Sequence, residues 1–154
     1  MLTDALIYSD SLGTVAVLAC FESQRLPPAF MHVLVVEDHQ DTRQVLTCLL
    51  NRWGFEVSAA ETLQSGLNRL ESEPIDVILS DIALPDGTGY ALISEVRRRG
   101  KDVLAIALSG YNYPSDVHVA KLTGFDHHLS KPCDCGQLRS LLEESNSSER
   151  SSPD

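Results

Sequence analysis

Basic residues are scarce in this chain. Twelve lysines and arginines stand against 22 aspartates and glutamates, a net charge of −10. That balance argues against a surface that binds nucleic acid or adheres to anionic membranes. The acidity is concentrated towards the two ends of the chain. Long apolar runs are also missing: Thr14–Phe21 falls far short of the ~20 residues that a membrane-spanning helix needs. The first basic residue is Arg25, and Asp4 and Asp10 do not suit a secretory signal. Cysteine is sparse and irregular. Cys20, Cys48, Cys133 and Cys135 have no framework spacing, so reduced thiols in a cytoplasmic protein are the expectation. Cys133 and Cys135 do form a C-x-C pair near His127 and His128, but zinc usually takes C-x2-C-type pairs from two places.

What is present is ordinary for a globular domain. The chain has 154 residues, 43% of them hydrophobic and 22% charged, enough for one domain with its own core. Residues 1–30 are expected to be an accessory arm or, preferably, an upstream extension from a start codon set too early, with Met31 as the alternative start. The stiff segment Arg25-Leu26-Pro27-Pro28 leads into it.

From Met31 onwards, short apolar runs alternate with helical periodicity. His32–Val36 reads as a buried strand ending in Glu37-Asp38. Asp41-Thr42-Arg43-Gln44 offers a capping-box-like helix start, Leu46, Leu49, Leu50 and Trp53 recur at helical spacing, and Gly54 terminates the helix. A short strand follows at Phe55–Ala59. The next helix carries Leu63, Leu67 and Leu70, and is expected to be weak because Gly66 inside it costs ~1 kcal/mol relative to alanine.

The central stretch is Val77-Ile78-Leu79-Ser80-Asp81, a continuous apolar run that stops at a carboxylate, followed by a loop punctuated by Pro85, Gly87 and Gly89. Leu92, Ile93 and Val96 mark a third helix. Its closing run Arg97-Arg98-Arg99-Gly100-Lys101 reads as cations complementing a helix C-terminus in preference to a phosphate or nucleic-acid site. Val103–Leu108 is a fourth strand ending in Ser109-Gly110, and Pro114 opens a helix that reaches Gly124. His127-His128-Leu129 is a fifth strand leading to Ser130-Lys131-Pro132. The last helix starts near Asp134 and buries Leu138, Leu141 and Leu142. Residues 143–154, rich in Ser, Glu and Asn, are expected to be a disordered acidic tail, leaving 31–142 as the folded domain.

About five βα units of this kind imply a flavodoxin-like, doubly wound, five-stranded parallel sheet with helices on both faces, because βα crossovers are right-handed. Functional groups in such sheets collect beyond the carboxyl ends of the strands. Here those are Glu37 and Asp38, Asp81, Ser109 and Lys131. Three carboxylates in one crevice repel one another. Mg²⁺, a hard cation that bridges carboxylates to phosphoryl oxygens, relieves that conflict, while a lysine and a hydroxyl on the other side suit phosphoryl transfer.

Taken together, Val35-Val36-Glu37-Asp38, Ser80–Gly87, Leu108-Ser109-Gly110 and Gly124–Pro132 resemble the response-regulator receiver domain of two-component signalling, over roughly residues 31–142 and in the family's order. The resemblance implies that Asp81 is a phosphoacceptor attacking the phosphohistidine of a sensor histidine kinase or histidine phosphotransfer protein. It implies that Glu37, Asp38, Asp81 and the Ala83 backbone carbonyl hold Mg²⁺, that Lys131 pairs with the phosphoryl group, and that Ser109 hydrogen-bonds it. His128 falls where the family often has the aromatic ring that turns inwards with the hydroxyl residue. An imidazole there would make the switch sensitive to pH near neutrality. Ala83 and Tyr111 match positions that tune dephosphorylation, and imply a slow rate.

By the same resemblance the chain is a phosphoacceptor without classical enzyme activity. It would signal through an effector protein docked at the face of the fourth helix, fifth strand and fifth helix, since only a dozen residues follow Leu142. The detached receiver of a hybrid sensor kinase is an alternative, favoured by Asp86–Tyr90 and His128. A phosphorylation-independent interaction module is another, although the acid-pocket residues and lysine it would usually have lost are all kept. A phosphatase of the haloacid dehalogenase type wants Asp-x-Asp after the first strand, where this chain has Asp38-His39-Gln40.

Overall fold

The computed structural model describes residues 31–110 and 114–150. Five strands, β1 (His32–Val36), β2 (Glu56–Ala60), β3 (Val77–Asp81), β4 (Leu104–Ser109) and β5 (His127–Ser130), form one parallel sheet in the order β2-β1-β3-β4-β5. The helices are α1 (Gln40–Arg52), α2 (Leu63–Ser72), α3 (Gly89–Arg98), α4 (Pro114–Thr123) and α5 (Cys135–Arg150). This is the flavodoxin-like α/β arrangement that the alternation of runs implies.

Because β1 and β3 are covered on both faces, every residue in them is buried, which is why they read as unbroken apolar runs. Alternate residues serve two cores. Val33, Val35, Val77 and Leu79 pack with α1 and α5 through Leu46, Leu49, Leu50, Trp53, Leu138 and Leu142. Leu34, Val36, Ile78, Ala105 and Ala107 pack with α2, α3 and α4 through Leu67, Leu70, Leu92, Ile93, Val96 and Ala120.

Several local details depart from the sequence reading. α1 starts one residue before the proposed Asp41 box, at Gln40. Its cap is His39, whose Nδ1 accepts the Thr42 N–H at 3.4 Å. α2 is reinforced where weakness was expected: Thr62 and Ser65 form a reciprocal capping box at 3.0 and 3.1 Å. Gly66 lets the helix settle onto the sheet, since a Cβ there would stand 3.3 Å from a Val36 methyl.

The basic run after α3 also does more than face a dipole. Arg97 donates to the carbonyls of Gly124 (2.9 and 3.1 Å), Val103 (2.8 Å) and Lys101 (3.1 Å), and pairs with Asp126 at 3.0 Å. Arg98 and Arg99 pair with Glu95, and Arg99 also reaches Glu71. α5 runs to Arg150, so residues 143–150 are helical where composition suggested a disordered tail. Leu138 and Leu142 anchor the helix on the core, after which each further residue costs little. Arg139 and Glu143 pair at 3.1 Å along it. Cys48 and Cys133 are free thiols, as expected.

Glycine 89 meets a hard steric limit where the β3–α3 loop enters its helix. Its N–H donates to the Ile82 carbonyl at 2.7 Å, and a Cβ would overlap the backbone oxygen of Asp81. Gly89→Ala is therefore expected to lower stability by about 1–3 kcal/mol, the usual cost of added volume in a packed site. Gly110→Ala places its methyl where nothing among the described residues lies within 4 Å, and should change stability by no more than ~0.5 kcal/mol. Urea denaturation of both variants checks the contrast, and equal midpoints would remove the steric account.

Candidate functional site

Parallel register brings the strand ends to one edge of the sheet. Val36 lies opposite Ser80 and Asp81 opposite Leu108, so Glu37 and Asp38 leave β1 beside the end of β3. Ser109 lies opposite Ser130, and the Lys131 N–H donates to the Ser109 carbonyl at 2.8 Å. Glu37, Asp38 and Asp81 each offer a ligand atom, all within 4.8 Å of one another, the one such group of His, Cys, Asp or Glu among the described residues. Lys131 Nζ bridges two of them, at 2.7 Å from Glu37 Oε1 and 3.0 Å from Asp81 Oδ2. The Lys131–Pro132 bond is cis.

Burial differs sharply across the cluster. Glu37 is fully buried, Asp81 is 9% exposed and Asp38 is open to solvent. Burial is the main reason that the Glu37 carboxyl is pushed up to about 7; the neighbouring Asp81 carboxyl adds to this and Lys131 opposes it. At Lys131 burial works against the ammonium, but Glu37 and Asp81 outweigh it and raise its pKa. A single lysine thus faces three carboxylates.

The donor set fits a hard divalent cation. Glu37 Oε2 is buried without a hydrogen-bond partner, and an acceptor-only oxygen left so costs free energy that a cation would recover. The fit is one of chemistry; which ion is held does not follow from it.

The other residues singled out from the sequence fall around this cluster. The Ala83 N–H lies 3.4 Å from Asp81 Oδ1 and its side chain is exposed. Ser109 is buried at the end of β4. His128 is opposite Ala107 on β5, half-buried, with Nε2 lacking a hydrogen-bond partner. Tyr111 lies outside the described residues. The C-x-C pair offers little to a metal: burial, with help from Asp134, pushes the Cys133 thiol up to about 12, and metals bind the thiolate.

Two residues near the site escaped the sequence reading. Asp86, in the loop after β3, accepts the Leu63 and Gln64 N–H groups at 2.7 and 3.0 Å, tying that loop to the start of α2. These bonds lower its pKa. Arg43 reaches back from α1 to the carbonyls of Glu37 and Asp38. An acidic residue in a proline-glycine loop is an available signal for the first. For the second, the only signal is an arginine in the second turn after an acidic pair.

Residues 33–143 match the protein family described as the response regulator receiver domain. An uncharacterized 14.6 kDa protein of Leptolyngbya boryana is 36% identical over 118 residues, 75% of this chain and 90% of that one. The KDP operon transcriptional regulatory protein KdpE of Escherichia coli is 40% identical over 111 residues, 72% of this chain but 49% of the regulator. Among solved structures, a Saccharomyces cerevisiae receiver domain, crystallised with a histidine phosphotransfer signaling protein, superposes with a TM-score of 0.70 at 22% identity, covering 79% of this chain and 90% of that one.

The raised Glu37 carboxyl sets a pH dependence for the metal-free protein. A group that takes protons more readily folded than unfolded stabilises the fold below its ordinary pKa of 4.5, and that contribution is lost as pH rises through about 7. Glu37→Gln removes it. In EDTA, the urea midpoint of the variant should gain on wild type between about pH 5 and pH 8. A constant difference would show that Glu37 titrates as an ordinary carboxyl.

Proposed function

Because the chain belongs to the response regulator receiver domain family, a phosphoacceptor module of two-component signalling and no classical enzyme, we propose that Asp81 is its phosphoacceptor. The observation that carries this reading is the position of Asp81: last residue of the central strand, bonded to Lys131, and within one cation's reach of Glu37 and Asp38. An Asp81 carboxylate oxygen attacks the phosphorus of a phosphohistidine. The P–N bond breaks as the P–O bond forms, and the departing imidazole nitrogen takes up a proton. Mg²⁺ bound by Glu37, Asp38, Asp81 and the Ala83 carbonyl would offset charge on the transferring group. Lys131 meets a phosphoryl oxygen from the β5 side, and Ser109 donates its hydroxyl to another. His128 supplies the ring that responds to the movement of Ser109.

The donor is a sensor histidine kinase or a histidine phosphotransfer protein, the class of partner crystallised with the yeast receiver. Output passes to an effector protein at the α4–β5–α5 face. Val119 and Leu122, 40% and 73% exposed on α4, are the large hydrophobic side chains most open to solvent among the described residues, and suit a protein contact. Among the described residues no helix is long and apolar enough to cross a membrane, in keeping with a cytoplasmic site of action. The folded unit is residues 31–142, with α5 continuing beyond it.

Intact-mass spectrometry with acetyl phosphate tests the acceptor. Wild type should gain one phosphoryl adduct only when Mg²⁺ is present, and Asp81→Asn should gain none. An adduct of equal occupancy in Asp81→Asn would move the acceptor elsewhere.

The lifetime of the adduct follows from Ala83, which presents no polar side chain to orient water. Tyr111 would shield the site. The wild-type phosphoryl group should persist for minutes or longer, and Ala83→Asn should shorten its life severalfold. A wild-type half-life of seconds would refute this.

A further inference from the structure

We propose that Arg43 is a positioning residue for the acidic turn, fixing the Glu37 and Asp38 carboxylates at the spacing a divalent cation requires. Its guanidinium comes from the second turn of α1 and bends back towards the helix start. Nη1 donates to the Glu37 carbonyl at 2.8 Å and to the Asp38 carbonyl at 3.3 Å. These two residues lie between β1 and α1, in no regular element, so neither sheet nor helix bonds hold their carbonyls. The Glu37 N–H is held by the Ala60 carbonyl at 3.0 Å, which leaves the carbonyl side of the turn to Arg43.

The arginine is itself well fixed. Its side chain is 18% exposed, and its own carbonyl accepts from the Thr47 hydroxyl at 2.8 Å. Nη2 lies 3.7 Å from Glu61 Oε2, but Glu61 is 67% exposed, so that ion pair contributes little. One nitrogen, Nη1, serves both adjacent carbonyls, and the planar guanidinium fixes its direction in a way that a lysine ammonium on a flexible stem does not. The cluster gives this contact its importance. Three carboxylates that repel one another tend to spread apart in the absence of a cation, and a turn held from behind limits that spreading. Residues that orient metal ligands without touching the metal typically change affinity 10–100-fold when lost. Arg43 grips the backbone of the ligand residues, which points to the lower end.

The inference rests on the reading of Glu37, Asp38 and Asp81 as a cation site, and the test separates the two. Mn²⁺ binding is measured by electron paramagnetic resonance on wild type, Arg43→Met, Arg43→Lys and Glu61→Gln, each shown to be folded by circular dichroism and a cooperative urea transition. Wild type should bind one Mn²⁺, Arg43→Met should bind about tenfold more weakly, and Arg43→Lys should recover less than half of that loss on a logarithmic scale. Glu61→Gln should stay within about twofold of wild type. At saturating Mg²⁺, phosphorylation of Arg43→Met by acetyl phosphate should approach the wild-type rate, because the loss lies in binding. A folded Arg43→Met with unchanged Mn²⁺ affinity, lower only in its urea midpoint, would make Arg43 merely structural and overturn the proposal. A loss in Glu61→Gln equal to that in Arg43→Met would assign the effect to the ion pair and overturn it too. Absence of Mn²⁺ binding in wild type would instead overturn the cation site on which it depends.

Discussion

Three carboxylates meeting at one edge of a parallel sheet, with a single lysine between them, set the terms for this protein. The arrangement is electrostatically unfavourable, and burial makes it worse: Glu37 lies so deep that its carboxyl is pushed up to about 7. The charge conflict persists because the sheet imposes it. Apolar residues on β1 and β3 fill both cores and fix the register, and the register leaves Glu37 no way to turn outwards. Hydrophobic burial distributed over the domain thus holds a strained charge cluster in place. That is the form a cation-dependent phosphoryl site requires, since a relaxed cluster would gain little from the ion.

The loops that carry the cluster are tied down by charge where regular bonding ends. Asp86 receives the first N–H groups of α2 and so secures the loop after β3, an anion at a helix N-terminus. Arg43 performs the complementary task at the turn after β1, gripping carbonyls from within α1. On the far side of the sheet Arg97 joins the end of α3 to the α4–β5 turn. Its side chain lies so close to Gly124, at φ +114, that a Cβ there would stand 2.8 Å from Arg97 Cγ. The first two anchors face the candidate site and govern its geometry. The third is remote from it and holds one end of α4.

What the sequence disclosed depended on how local the determining physics was. Strands buried on both faces announce themselves as unbroken apolar runs, so β1, β3 and β4 could be placed, and with them Glu37, Asp38, Asp81 and Ser109. Helix faces followed from leucine spacing. The failures came where a long-range contact decides. Gly66 reads as a defect until Val36 is seen beneath it, and the arginine run after α3 reads as a dipole complement until Asp126 and Gly124 are brought to it. His39, two residues nearer to the strand, took the cap that Asp41 was expected to supply. The segment after Leu142 was read from composition, which cannot register a helix already nucleated by packing upstream.

The geometry also suggests how an event at Asp81 would be felt at α4. Ser109 ends β4 and Lys131 follows directly on β5, and the two strands are joined there by the Lys131 N–H and the Ser109 carbonyl. His128 stands on β5 one register step below that junction's neighbour Leu129, opposite Ala107. A phosphoryl group that drew in both Ser109 and Lys131 would therefore act on the same pair of strands that borders α4. Arg97 holds the Gly124 end of α4. The exposed Val119 and Leu122 lie on that helix. A small movement at the strand ends would then alter the presentation of an apolar face while the rest of the sheet stayed fixed by its two cores.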